Sequence, residues 1–132
     1  MPKIIQKVLS YKIMGMLFSV HNSLGNRYQE KYYQRAVEEG LKQKNLNFKK
    51  ELKVDLLYSN KVIGKYFLDF LIEDRVILEI KAVDKLRPKD FEQVLAYLTA
   101  NNIELGILVN FRTSSLSYHR ILNSKYIRKN LE

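Results

Sequence analysis

The chain has 132 residues, of which 46% are hydrophobic and 28% charged, and this composition is typical of one globular domain with a core of its own. It contains no cysteine, which excludes disulfides, thiolate metal ligands and a cysteine nucleophile. Its 23 Lys and Arg residues outnumber its 14 Asp and Glu residues, and the resulting net charge of +9 suits a polyanion such as nucleic acid. An AT-rich genome would enrich a chain in lysine as well, so the charge alone does not identify the partner.

The sequence gives no sign of a membrane segment. Its N-terminus lacks the apolar core of a signal peptide, and its apolar runs are far shorter than the ~18 residues of a membrane span. We therefore expect a cytoplasmic protein without a membrane partner.

Two helices are predicted before the first strand. Residues 4–23 carry apolar side chains mostly at three- and four-residue spacings, which predicts an amphipathic helix, either continuous or interrupted near Ser10. A second helix is predicted over residues 26–44, with Asn26 as its N-cap. Its expected buried stripe is formed by Tyr28, Tyr32, Tyr33, Ala36, Val37 and Leu41. Glu30 lies outside this stripe, where an acid near a helix N-terminus also suits the helix dipole.

Three antiparallel strands are predicted to follow. Residues 48–58 alternate imperfectly between apolar and polar side chains, and a turn leads into a second strand. The run 66–82 has the pattern of two apolar strands joined by a tight polar turn. If this hairpin closes symmetrically about Asp74, Asp69 lies opposite Glu79, whereas a slip of one residue would turn Asp69 to the other face.

Asp69, Glu79 and Lys81 are charged residues in this otherwise apolar hairpin. Two carboxylates opposite each other on a sheet repel, and burying either without a partner costs several kcal/mol. A divalent cation relieves both penalties, because hard cations bind clustered carboxylate oxygens. Glu79 and Lys81 are two residues apart and share a strand face. The pattern predicts a metal-dependent catalytic site. The alternatives are a partly buried salt-bridge cluster without chemistry and charges at frayed strand ends in water.

The C-terminal half is predicted to contain a βαβ unit. Pro88 suits the first turn of a helix over about residues 89–100, and residues 104–110 form a short apolar strand. The strand before this helix should therefore lie parallel to the strand after it, with a right-handed crossover. Gln93 and Tyr97 are i, i+4 partners on one flank of the helix.

The chain is predicted to end in one more element and a tail. Residues 115–122 are interpreted as a last strand, with a short helix as the alternative, and residues 123–132 form a basic tail. We expect a single domain over residues 1–132, with an N-terminal helix at 4–23 and a core at 26–122.

The order of these elements resembles the PD-(D/E)-x-K nuclease superfamily, in which an Asp is followed at a distance by Glu-x-Lys, as Asp69 is by Glu79-Ile80-Lys81. The spacing Gln93-x-x-x-Tyr97 resembles the Q-x-x-x-Y element of its RecB-like branch. The segment from Leu24 to Tyr33 resembles the signature of the GxxExxY family within the superfamily, and Glu30 and Tyr33 match it. Two positions depart from the patterns: Arg27 replaces a signature glycine, and Leu68 replaces the proline before the first Asp. The similarity covers about residues 13–122.

The resemblance implies a restriction-endonuclease-like α/β core, with a mixed central sheet of an antiparallel meander plus a parallel βαβ unit, flanked by helices. It implies that Asp69, Glu79 and the backbone carbonyl of Ile80 bind a metal. Glu30 would be a further acid, acting on the metal directly or through water. Lys81 would orient or deprotonate the attacking water. Gln93 and Tyr97 would position the phosphate backbone or the Lys81 region.

The function implied is a nuclease that hydrolyses DNA phosphodiester bonds. Oxygen ligands without cysteine or a convincing histidine pair favour Mg²⁺ or Mn²⁺ over Zn²⁺. The alternative is a catalytically silent nucleic-acid-binding or protein-interaction module on the same fold. The resemblance also suggests a homodimer, since small nuclease domains often pair to cut two strands.

Overall fold

The structure is a computed structural model and describes residues 6–128. In chain order its elements are α1 (Lys7–Leu24), α2 (Glu30–Gln43), β1 (Phe48–Tyr58), β2 (Lys61–Ile72), β3 (Val76–Lys81), α3 (Pro88–Asn101), β4 (Leu105–Asn110) and β5 (Ser117–Leu122). Within the described range, no helix combines the length and the hydrophobicity that crossing a membrane requires.

The five strands form one mixed sheet in the order β1-β2-β3-β4-β5. The pairs β1–β2, β2–β3 and β4–β5 are antiparallel, and β3 runs parallel to β4 with α3 as the crossover between them. This arrangement confirms the predicted α/β fold, with a meander followed by a βαβ unit. The last strand, Ser117–Leu122, is also confirmed.

The β2–β3 hairpin closes symmetrically about Asp74, as predicted. Phe70 pairs with Leu78 and Ile72 with Val76. Glu73 and Asp74 both have left-handed backbones, with φ of 53° and 55°, and the N–H of Arg75 donates to the carbonyl of Ile72 at 2.9 Å. This tight reversal leaves residues 73–75 as the loop between the paired residues Ile72 and Val76, and so sets the register of the hairpin.

The core consists of two clusters. The larger contains residues of α1 and α2 together with sheet residues, and the smaller joins α3 to the sheet. The larger includes Ile13, Leu17, Tyr33, Val37, Leu41, Ile72, Leu78, Ile80 and Val109, and the smaller consists of Leu68, Leu71, Ile77, Val94, Leu98 and Ile103. All six residues of β4 and the first five of β3 are buried, as expected for strands covered on both faces.

The first helix differs slightly from the prediction of 4–23. It spans Lys7–Leu24, and residues 4 and 5 lie outside the described range. It is not interrupted at Ser10, because the Ser10 hydroxyl accepts a hydrogen bond of 2.8 Å from Arg120 instead of disturbing the helix backbone.

The second helix begins at Glu30, so the prediction of a start at Asn26 was wrong. The side chain of Asn26 donates to the carbonyl of Arg112 and caps no helix. The Tyr33 hydroxyl donates to the carbonyl of Gly25 at 2.6 Å and accepts the backbone N–H of Tyr28 at 3.3 Å. These bonds hold residues 25–29 as a loop across the start of the helix.

The buried stripe of α2 is narrower than predicted. Tyr33, Val37 and Leu41 are fully buried, whereas Tyr28 and Tyr32 are 49% and 43% exposed. Aromatic rings at helical spacing do not by themselves show which ring faces the core, and here only one of the three does.

The predicted basic tail is partly anchored. The Asn123 side chain donates to the carbonyls of Leu98 and Ile103, and the carbonyl of Ile127 accepts from the Asn102 side chain. Residues 129–132 lie outside the described range.

Gly106 of β4 packs tightly against α3, and a Cβ added there would lie 2.6 Å from Cγ1 of Val94. We predict that Gly106→Ala lowers the free energy of unfolding by about 1–3 kcal/mol, because the branched Val94 side chain cannot move aside freely. Urea unfolding measures the effect.

Val94→Ala should recover part of that loss in the double variant, and Gly15→Ala is the matched control. Gly15 lies inside α1 with nothing within 4 Å of the added Cβ, so its substitution should raise stability by about 1 kcal/mol. Equal effects of the two glycine substitutions would contradict this packing.

Candidate active site

Two carboxylates replace backbone pairing where β2 and β3 separate. The ladder between these strands ends at Phe70 and Leu78. One step further, the backbone N–H of Asp69 donates to Oε1 of Glu79 at 3.0 Å, and the N–H of Ile80 donates to Oδ2 of Asp69 at 2.7 Å. The structure thus brings together the two acids that were predicted to face each other across the hairpin.

A backbone irregularity in β1 lies beside Asp69. Glu51 has a left-handed backbone with φ of 56°, and it stands between the ladder pairs Lys50–Phe70 and Leu52–Leu68. Leu68 and Phe70, although two residues apart, belong to different core clusters. The side-chain alternation of β2 therefore changes at Asp69, although the register between β1 and β2 is the same on both sides of it. The Asp69 side chain is half-buried at the end of the β2–β3 pairing.

Burial dominates the electrostatics of the two acids. Burial and the neighbouring Asp69 carboxylate raise the pKa of Glu79 to about 9. Burial also raises the pKa of Asp69, although hydrogen bonds from the Ile80 N–H and from Gln34 oppose the shift. Burial and the closeness of the two carboxyl groups therefore disfavour the state in which both are charged.

Lys81 stands between two acids at the end of β3. Its ammonium nitrogen lies 3.7 Å from Oε2 of Glu79 and 3.8 Å from Oδ1 of Asp90. Asp90 is buried, and its Oδ2 accepts the backbone N–H of Arg87 at the start of α3. Glu79 and Lys81 therefore share a face, and α3 adds a third acid that the sequence analysis did not identify.

Glu30 reaches the same place from α2. Burial raises the pKa of Glu30, while Lys81 and a hydrogen bond from the backbone of Ala82 oppose the shift. The Gln34 side-chain nitrogen donates to Oε2 of Glu30 at 3.2 Å and to Oδ1 of Asp69 at 2.7 Å. One amide group thus connects the acid on α2 to the acid on β2.

The loop before α2 is fixed to the end of β3 by Arg112. Its guanidinium donates to the carbonyl of Tyr28 at 2.8 Å and to that of Ala82 at 3.2 Å. The Tyr33 ring stacks on Phe111 with ring centres 4.5 Å apart. These contacts hold the first turn of α2, and so Glu30, beside β3.

Gln93 and Tyr97 are not among the described residues, 6–128, that line the cleft of the acid pair. The backbone carbonyl of Gln93 accepts from the Tyr66 hydroxyl, and Tyr97 packs against the smaller core cluster. Their proposed role in positioning phosphate stays a prediction.

The sequence analysis missed three residues around the site, namely Gln34, Asp90 and Arg112. A signal existed for Gln34, since it follows Glu30 by four residues and so lies on the same helix face. Asp90 is the third residue of α3, where an acid usually caps the helix. Because capping explains an acid at this position, the sequence does not indicate that Asp90 also contacts Lys81. Arg112 lies in a loop, and no sequence pattern indicates its long-range contacts.

The site opens into a cleft of about 790 Å³ between α2 and the β1–β2 hairpin. The lining residues are Glu30, Lys31, Gln34, Arg35, Glu38, Lys50, Glu51, Phe67, Leu68, Asp69, Phe70, Glu79 and Lys81. This volume lies within the roughly 300–1,000 Å³ of typical ligand clefts. The site is therefore open to a substrate.

The donor set fits one hard cation. Among residues 6–128, no group of three or more Asp, Glu, His or Cys side chains is arranged to hold a metal ion. The buried Glu79 carboxylate nevertheless meets the half-buried Asp69 carboxylate, and charging both without compensation is unfavourable. A cation held by this pair, with water in its other positions, matches the way Mg²⁺ is usually bound.

The raised pKa of Glu79 predicts how stability depends on pH without metal. Because the folded protein holds this proton more tightly than the unfolded chain, the associated stability is complete below about pH 4.5 and is lost as the pH rises towards 9. In EDTA at pH 8, we predict that Glu79→Gln raises the free energy of unfolding by at least about 1.4 kcal/mol, the equivalent of one pKa unit. Thermal unfolding between pH 5 and 9 measures this.

Glu38→Gln is the control, because the pKa of Glu38 is shifted in the direction opposite to that of Glu79. The hydrogen bond from Lys50 lowers the pKa of Glu38, so neutralising Glu38 should not stabilise the protein at any of these pH values. A Glu79→Gln variant that is less stable than the wild type at pH 8 would contradict the proposed electrostatics of the acid pair.

The sequence was compared with family models, curated proteins and solved structures. A family model of the PD-(D/E)XK nuclease superfamily matches residues 7–121. No curated protein matches the chain. The crystal structure of SSO0001 is similar to it with a TM-score of 0.46 and 20% sequence identity, over 88% of this chain and 78% of that chain. Since the family model covers most of its length, the chain belongs to the PD-(D/E)XK nuclease superfamily.

Proposed function

We propose that this protein is a Mg²⁺- or Mn²⁺-dependent nuclease that hydrolyses DNA phosphodiester bonds. The observation that carries the proposal is the placement of the Asp69 and Glu79 carboxylates at the end of the β2–β3 pairing, where each accepts a backbone N–H from the opposite strand, with the Lys81 ammonium 3.7 Å from Glu79. Membership of the nuclease superfamily supports it. The net charge of +9 supports a nucleic-acid substrate.

Asp69 and Glu79 would hold the cation through their carboxylate oxygens. The backbone carbonyl of Ile80 and the carboxylate of Glu30, directly or through water, are the further ligands in this proposal. When bound, the cation supplies Lewis acidity and lowers the pKa of a bound water.

Lys81 would face the reacting phosphate. Its ammonium group can donate to the attacking water or to a phosphate oxygen, where negative charge develops as the bond to the leaving oxygen breaks. Glu79 and Asp90 fix the position of its nitrogen from two sides, so it is placed before the substrate arrives. This fixed position supports a role for Lys81 in orienting the water.

Gln34 would act through Asp69. It donates to one oxygen of Asp69 while the Ile80 N–H donates to the other. Both oxygens of the carboxylate are thereby oriented before metal binds. Gln34 is therefore proposed as a positioning residue rather than a catalytic one.

The resemblance to the GxxExxY family is also part of this proposal. Glu30 and Tyr33 match the GxxExxY signature, and the buried Tyr33 hydroxyl holds the loop in front of Glu30, which gives that signature a structural reason. Gln93 and Tyr97 as positioning residues, a homodimer and a cytoplasmic location are retained as predictions.

The activity test compares substitutions that keep the size of the side chain. We predict cleavage of DNA in Mg²⁺ or Mn²⁺, none in EDTA, and a rate about 10²–10⁴-fold lower in Lys81→Met. Asp69→Asn and Glu79→Gln should also abolish cleavage. Lys49→Met is the matched control, because Lys49 is an exposed lysine that pairs with Asp74 in the hairpin turn.

Unfolding curves must show that each variant is folded. Cleavage that persists in all three site variants would place the activity elsewhere. Binding of DNA without cleavage by the wild type, across single-stranded, duplex and branched substrates, would favour the silent binding module instead.

Metal binding can be measured without activity. Mn²⁺ or Mg²⁺ at about 100 times its dissociation constant should stabilise the wild type by about 2.7 kcal/mol. Asp69→Asn should lose this stabilisation, and Lys49→Met should keep it. Equal stabilisation of the wild type and Asp69→Asn would exclude this acid pair as the metal site.

A further inference from the structure

One wall of the cleft that contains Asp69 and Glu79 includes part of the β1–β2 hairpin. Beyond Asp69, the β1–β2 hairpin continues as a two-stranded segment, residues 52–58 of β1 and 61–68 of β2, here called the arm. In the part of the chain that the structure describes, β3 pairs only with Phe70–Ile72 of β2, so the arm extends past the rest of the sheet. Helix α2 forms the opposite wall of the cleft.

The arm presents an aromatic ring to the cleft next to the acids. Phe67 lines the cleft and is 51% exposed, although it lies in a strand whose neighbouring residue Leu68 is buried. It precedes Asp69 by two residues, so their Cα atoms are within about 7 Å of each other. Lys65 lies over the Phe67 ring, with its nitrogen 5.9 Å from the ring centre.

The opposite wall carries two cationic side chains that could contact a phosphate group. Lys31 and Arg35 of α2 line the cleft, and neither forms an ion pair within residues 6–128. Both lie over the exposed Tyr32 ring, at 5.2 and 5.7 Å from its centre. By contrast, Lys50 in the same cleft is bound to Glu38 at 3.0 Å.

We propose that this cleft binds a single-stranded segment of nucleic acid, with a base stacked on Phe67 and the backbone along Lys31 and Arg35. The inference rests on the proposed nuclease function and specifies its substrate. An exposed ring beside basic side chains is the means by which proteins hold single strands. In a duplex each base face is already covered by its neighbours, so only an unpaired or frayed base can stack on Phe67. The base next to the scissile phosphate is the one that Phe67 can reach.

The test measures binding in EDTA, so that cleavage plays no part. The probe is a labelled thymidine oligonucleotide of about 16 nucleotides, within the size range that single-strand binders cover, and a duplex of equal length is the comparison. We expect Phe67→Leu, which keeps an apolar side chain but removes the flat ring, to weaken single-strand binding about 5- to 150-fold. Phe67→Trp should retain it, and neither change should alter duplex binding.

Tyr58→Leu is the matched control, because Tyr58 is a 71% exposed aromatic residue at the far end of the arm and does not line the cleft. It should leave single-strand binding unchanged. A fluorescent base analogue in the oligonucleotide should be quenched by the wild type and not by Phe67→Leu.

Three results would overturn the inference: unchanged single-strand binding in Phe67→Leu, equal losses for single strand and duplex, or equal losses in Tyr58→Leu. Its failure is distinguishable from failure of the nuclease proposal. A protein that binds single strands through Phe67 but cleaves nothing retains this inference and loses the nuclease proposal. A protein that cleaves duplex DNA with metal, and whose single-strand binding does not change in Phe67→Leu, retains the nuclease proposal and loses this inference.

Discussion

The reciprocal hydrogen bonds of Asp69 and Glu79 are the constraint around which this site is built. Each carboxylate accepts a backbone N–H from the opposite strand, at 3.0 Å for Glu79 and 2.7 Å for Asp69, at the point where β2 and β3 separate. These bonds satisfy backbone groups that the interrupted ladder would leave unpaired. They also place two acids where burial and repulsion make the doubly charged state unfavourable. In the proposed function, a divalent cation would relieve this conflict between the two acids.

The rest of the fold brings other groups to this pair from separate parts of the chain. Helix α2 contributes Glu30 and Gln34, and Arg112 holds the loop that leads into this helix. Helix α3 contributes Asp90, which fixes Lys81 from the side opposite Glu79. Asp69 lies where β2 passes from one core cluster to the other, since Leu68 belongs to the smaller cluster and Phe70 to the larger. The open side is left to the cleft and the arm.

Much of this architecture could be predicted from sequence because the informative signals are local. The turn at Asp74 set the hairpin register, and the buried runs of β3 and β4 with an intervening helix indicated the parallel pair. The start of α2 could not be predicted, since it depends on Tyr33 bonding back to Gly25. The left-handed backbone of Glu51 could not be predicted either. Glutamate in a strand normally has a negative φ, so the surrounding structure must hold this residue in its unusual conformation. The contacts of Asp90 with Lys81 and of Arg112 with Tyr28 join separate parts of the chain, so no periodic pattern in the sequence indicates them.

Anomalous diffraction from crystals soaked in Mn²⁺ would test the central claim, that Asp69 and Glu79 converge on one cation. The account predicts a single strong peak between the two carboxylates, with Lys81 next to it. It would be contradicted if millimolar Mn²⁺ gave no peak between the two carboxylates.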